Sequence, residues 1–172
     1  MERSIASESR EGKLAMNNYL DVLEKSLHKK LQLLDKIQMY NEAQYQVFSG
    51  DNVQVEKFDA YIDEKGKLIE EVLKLDEGFE ALYANLSEDL KNNRDKYAEQ
   101  IKVLQELVKQ VTEKSVAVQT QEARNKTLIE GYFAKEKEQI GQGRRSSAVA
   151  YNYYANVNKA VQAQPQFMDS RQ

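Results

Sequence analysis

The chain contains a single proline, Pro165, so nothing in its first 164 residues interrupts a helix by lacking an N–H and clashing with the preceding turn. Glu, Lys, Leu, Gln and Ala dominate that stretch, all residues with good intrinsic helix propensity. Valine and isoleucine do not gather into alternating runs bounded by turns, and strand signals are close to absent. These features predict long helices and an all-α fold.

Apolar periodicity divides the proline-free region into three segments. In 17–48, Leu20, Leu23, Leu27, Leu34, Ile37 and Phe48 recur at threes and fours, with Leu31, Leu33 and Tyr40 widening the stripe. Such spacing places apolar side chains on one helical face. Asn41 and Gln44 are polar insertions that loosen this seam near its end. Ser49-Gly50-Asp51-Asn52 reads as a turn, with Gly50 a left-handed C-cap and Asp51 or Asn52 an N-cap for the next helix.

The second segment, about 53–90, is the most regular. Alternating steps from Val55 pass through Phe58, Ile62, Lys65, Ile69, Val72, Asp76, Phe79, Tyr83, Leu86 and Leu90, and only Lys65 and Asp76 are neither apolar nor aromatic. Leu68, Leu75 and Leu82 add a flanking row, which suits contact with two neighbours. Gly66 and Gly78 each weaken the helix by up to about 1 kcal/mol relative to alanine, and a bend near 76–78 is expected. Residues 87–95 mark a second turn, with Asp95 as the N-cap candidate.

The third segment, about 96–139, has the seam Tyr97, Ile101, Leu104, Val108, Val111, Ser115, Val118, Glu122, Asn125, Ile129 and Tyr132. Its polar exceptions, Ser115, Glu122 and Asn125, cluster. They fit either a helix that has outrun its bundle and is wet, or a partner-facing stretch in which Asn125 fixes register and Leu128, Ile129, Tyr132 and Phe133 supply apolar anchors. A helix of this length is about 60 Å long and overhangs shorter neighbours.

Composition then shifts. Residues 141–172 carry Arg144, Arg145, Lys159 and Arg171 against Asp169, a charge of +3 that leaves −6 on the rest of a chain of net charge −3. Ala, Asn, Gln and Ser dominate this tail, and such composition offers little apolar area to offset ordering entropy. The tail is therefore expected to be flexible or transiently helical. Tyr151, Tyr153 and Tyr154 then read as interface anchors, the alternative being one more short packed helix at 146–162. The opening 1–15, MERSIASESREGK and onward, is polar and reads as a disordered leader, with Met16 an alternative start. The expected architecture is an antiparallel three-helix bundle over 16–140 followed by a flexible C-terminal tail.

The same inventory argues against catalysis. There is no cysteine, hence no disulfide, thiolate nucleophile or Cys-type zinc site. His28 is the only histidine and sits beside Lys29 and Lys30, as a solvated residue would. Glu70–Glu71 and Asp76–Glu77 lie among lysines as ordinary helix surface. Gly141-Gln142-Gly143 follows a helix rather than a strand and lacks a phosphate-loop pattern. No enzyme activity, cofactor or small-molecule substrate is expected. The acidic balance argues against a nucleic-acid surface. No run approaches the roughly 20 apolar residues of a membrane span, so a cytoplasmic protein is expected.

Five stretches carry a resemblance to a known family: MNNYLDVLEKSLHKKLQLLDKI (16–37), FDAYIDEKGKLIEEVLKLDEGFEALY (58–83), TEKSVAVQTQEARNKTLIEGYF (112–133), GRRSSAVAYNYYANV (143–157) and PQFMD (165–169). In order and in their tyrosine-rich ending they resemble flagellar export chaperones of the FlgN type, in their clostridial versions. The resemblance implies a cytoplasmic chaperone for hook-filament junction proteins. Such a chaperone binds an amphipathic C-terminal helical segment of its client, blocks premature assembly, and delivers the client to the membrane export gate of the flagellar type III apparatus. It also implies client contacts around Asn125, Leu128, Ile129, Tyr132 and Phe133, and gate docking through Tyr151, Tyr153 or Tyr154. Two other classes fit the same periodicity: a structural coiled-coil protein that self-associates, and a regulatory bundle that sequesters a protein partner.

Overall fold

A computed structural model describes residues 2–136, 143–161 and 164–168, with side chains from Arg10 onward in the first helix and from Ala148 onward in the last. Every regular element among them is an α-helix: α1 (Glu2–Val47), α2 (Val55–Asn92), α3 (Ala98–Glu136) and α4 (Gly143–Val161). The bundle therefore has four helices where the periodicity predicts three. The fourth forms from the stretch expected to be a flexible tail. α1 also begins at Glu2 rather than near residue 17, its first turns drawn from Glu, Arg, Ala and Ser with no proline to stop them.

Among the described residues, close backbone approaches join α1 to α2 and to α3, and α4 to the same two helices. The helices thus stand at the corners of a square, with α1 and α4 on one diagonal and α2 and α3 on the other. Partners along the chain fix the directions. Asn41 meets Lys65 and Lys30 meets Asp76, so α1 and α2 run antiparallel. Asn17 meets Gln100 and Glu42 meets Arg124, so α1 and α3 run parallel. Tyr153 lies at Glu122, and Val161 O accepts from Gln119 Nε2, so α4 descends antiparallel to α3.

The core follows the sequence seams. Leu20, Leu23, Leu27, Leu34 and Ile37 of α1 pack with Phe58, Ile62, Ile69, Val72 and Phe79 of α2 and with Ile101, Leu104, Val111, Val118 and Ile129 of α3, all buried. At about 1.5–3 kcal/mol for each fully buried large aliphatic side chain, this stripe is the main source of stability. α2 runs unbroken through Gly66 and Gly78, so packing on both flanks overrides their weak propensity.

α4 adds its own stripe: Ala150, Tyr153, Tyr154, Val157, Ala160 and Val161 are buried on one face at helical spacing. The alanines let the helix approach its neighbours closely while the two tyrosines supply the area. Beyond α4, residues 164–168 form a strap without regular secondary structure. Its Phe167 packs against Phe79 and Tyr83, with ring centroids 6.3 and 5.1 Å away, and Gln105 Nε2 donates to Met168 O at 2.9 Å. α3 does not overhang: α4 covers its far end.

The turns are solved differently from the sequence expectation. α1 closes through Ser49, whose N–H (3.2 Å) and hydroxyl (2.7 Å) both donate to Gln46 O. With that carbonyl satisfied, no left-handed glycine is needed, and Gly50 does not adopt that conformation. Gln54, in extended conformation, precedes α2 without a side-chain cap, in place of Asp51 or Asn52. Between α2 and α3, Asn93 rather than Asp95 organises the turn, its Nδ2 donating to Asp89 O at 2.7 Å and its carbonyl accepting from Lys96 N at 3.0 Å.

Candidate protein-docking site

The polar positions in the helical seams converge inside the bundle. Lys65 on α2 is fully buried, and its Nζ donates to both carboxylate oxygens of Glu122 on α3, at 2.9 and 3.1 Å. The third direction of the ammonium is taken by Asn41 Oδ1 of α1, at 2.7 Å. α4 closes the centre: the Tyr153 hydroxyl donates to Glu122 Oε1, and the Tyr153 ring lies 4.3 Å from Lys65 Nζ, within cation–π range. One side chain from each helix thus meets at a single point.

Burial draws the Lys65 ammonium down to about 8, against the opposing pull of the Glu122 carboxylate. Burial and the same carboxylate push the Tyr153 phenol well above its ordinary range. A second tie sits lower in the bundle. Lys30 of α1, almost wholly buried, donates to Asp76 of α2 (2.7 and 3.0 Å) and to Gln164 of the strap (2.7 Å). Its pKa is lowered by burial, with Asp76 opposing, while burial raises Asp76 against the pull of Lys30.

Asn125 belongs to this interior rather than to the surface. It has no solvent exposure, and its Nδ2 donates to Asn41 O at 2.9 Å, with Gln44 Oε1 at 3.5 Å. Gln44 in turn donates to Phe58 O at 3.2 Å. The cluster of Ser115, Glu122 and Asn125 is therefore not a wet overhang: all three are buried, with α1 and α4 lying over them. Ile129 is likewise core. Leu128, Tyr132 and Phe133 are half-buried, and the rings of Tyr132 and Phe133 stand edge to face at 5.9 Å.

The tail tyrosines separate. Tyr151 is the exposed one, at 76% of its maximal accessibility. Tyr153 and Tyr154 are buried, and the Tyr154 hydroxyl has no hydrogen-bond partner. Burial raises its pKa, with Glu122 and Glu130 adding to the effect.

One surface feature gathers residues from both sequence-predicted groups. A cavity of about 510 Å³ runs along the seam between α3 and α4, lined by Ile129, Phe133 and Lys126 from one wall and Tyr151, Tyr154 and Ala150 from the other. Residues singled out for two different partners, Ile129 and Phe133 for one, Tyr151 and Tyr154 for the other, thus share a wall-to-wall groove. Leu128, Tyr132 and Asn125 do not line it, and Tyr153 lies on the opposite flank of α4, along a cavity of about 620 Å³ shared with α2.

Sequence reasoning passed over Lys65, Asn41 and Lys30. The signal was present for Lys65, a cation at a seam position of one helix with Glu122, an anion, at a seam position of another. Lys30 gave none, since its partners are set by how the helices register. Among the described residues no group of His, Cys, Asp and Glu could hold a metal ion, and no helix is long and apolar enough to cross a membrane.

No protein-family model matches the chain, and neither curated proteins nor solved structures show a significant match to it.

Proposed function

We propose that the protein is a non-catalytic export chaperone of the FlgN type, acting in the cytoplasm. It binds the amphipathic C-terminal helices of hook-filament junction proteins, keeps them from assembling early, and brings them to the membrane export gate. The observation that carries this reading is the α3–α4 seam, where the apolar Ile129 and Phe133 face the exposed Tyr151 and the buried Tyr154 across one groove. Aromatic walls with a polar rim are the chemistry by which helical bundles accept a further amphipathic helix. A chaperone without nucleotide chemistry can shield an aggregating stripe only by mass action, offering an equivalent apolar surface.

The reading is tested by titrating the purified chain with the C-terminal segments of hook-filament junction proteins. Phe133→Asp and Tyr151→Ala should each weaken binding by about 1 kcal/mol or more while helical circular dichroism is retained. Unchanged affinity in both variants, or no binding by the native chain, defeats it.

A further inference from the structure

α4 sits in its groove differently from the way α1 sits in the core. Among the described residues its backbone approaches the same two helices as α1 does, α2 and α3, but over 19 residues where α1 has 46. Cavities of about 510 and 620 Å³ flank it on the α3 and α2 sides, and a third of about 280 Å³ lies between α3 and the strap. The layer beneath its middle is ionic: Lys65 and Glu122 lie directly under Tyr153. An ionic layer lowers the cost of exposure, because water re-solvates both charges when the covering helix leaves. The unpartnered hydroxyl of Tyr154 adds a group that is better solvated out of the groove than in it.

We propose that the groove between α2 and α3 is a helix-binding site in which α4 and the strap are the resident ligand, so that an amphipathic helix of a partner protein binds by taking their place. The contacts that α4 makes define the helix that fits. It carries small residues where Ala150 and Ala160 pack, a β-branched residue at the place of Val157, and a hydroxyl or amide able to reach Glu122 as Tyr153 does. This goes beyond the chaperone reading: it seats the incoming helix in the place of α4 rather than in the α3–α4 seam, and it does not depend on which protein supplies that helix.

The probe is a fluorescent peptide spanning residues 143–168, added to the full-length chain and followed by anisotropy. The native chain should bind it poorly, since its groove is filled. Val157→Asp, which places a charge at a position 1% exposed against α2, should expel α4 and bind the peptide at least about tenfold more tightly, with the helical signal of α1–α3 retained. Equal binding by both proteins, or by neither, overturns the proposal. A buried aspartate penalises the whole chain as well as α4, so Val157→Ala is read in parallel by hydrogen exchange. Acceleration confined to α4 supports the proposal whatever the fate of the aspartate variant, and equal acceleration in all four helices overturns it. Junction-protein segments that fail to bind would remove the assigned client and leave this exchange standing. A failed exchange would remove the groove and leave the client reading to the α3–α4 seam.

Discussion

Lys65 and Glu122 face each other across the diagonal of the bundle, nitrogen to oxygen 2.9 Å apart, on two helices whose backbones do not approach closely. The pair is buried, so its attraction is weighed against the cost of desolvating two charges. Removing one partner leaves the other charged in the interior. Lys65→Met is therefore expected to destabilise the chain by about 3–5 kcal/mol, whereas Lys65→Met with Glu122→Leu should come out near neutral or more stable. Urea unfolding of the two variants beside the native chain measures the difference, and equal losses would show that the pair contributes only shape.

Tyr153 touches the same carboxylate from α4. Tyr153→Phe keeps the ring over Lys65 and deletes a charge-assisted hydrogen bond, an expected loss of about 1.5–3 kcal/mol in the unfolding midpoint analysis. Tyr151→Phe, at an exposed position, should lie within about 0.5 kcal/mol of native.

Stability should depend on pH on the alkaline side. Lys65 titrates at about 8 when folded and at 10.5 when unfolded, so between these values the unfolded chain binds more protons and stability rises with pH. Lys30 is shifted in the same direction and adds to the rise. Above about 10 the order reverses, because unfolded tyrosines ionise while buried Tyr153 and Tyr154 hold their protons. Urea midpoints measured from pH 7 to 11 should pass through a maximum, and Lys65→Met should flatten its rising limb. A monotonic fall from pH 7 would contradict this account.

Core and surface positions of α1 should part sharply. Leu34→Ala, at a position with no exposure, is expected to cost about 2–5 kcal/mol, and Met39→Ala, 72% exposed, less than about 0.5 kcal/mol. Thermal unfolding of each variant checks both.

Much of the fold is legible in residue spacing. The steps from Val55 to Leu90 run along one unbroken helix, because Leu, Ile, Val and Phe at threes and fours have no other way to leave water together. α4 is not legible in that way. Its buried face is made of Ala150, Ala160, Tyr153 and Tyr154, residues that carry little weight when apolar content is scored, yet alanine shortens the distance between helices and tyrosine buries a large ring. The interior role of Glu122 and Asn125 was hidden for a related reason: a polar residue at a seam position reads as the end of a seam until its partner, Lys65 or Asn41, is found on another helix. The grouping of Phe133 with Tyr151 depends on where α4 lands, which periodicity along one helix cannot specify.

The bond from Lys30 to Gln164 joins positions 134 apart in the chain. Synthesis runs from the amino end, so α1, α2 and α3 leave the ribosome before the strap that completes this knot. During that interval Lys30 has Asp76 alone for company, and the carboxylate of Glu122 waits for a phenol not yet made. The groove between α2 and α3 can therefore close only after α4 and the strap have been made.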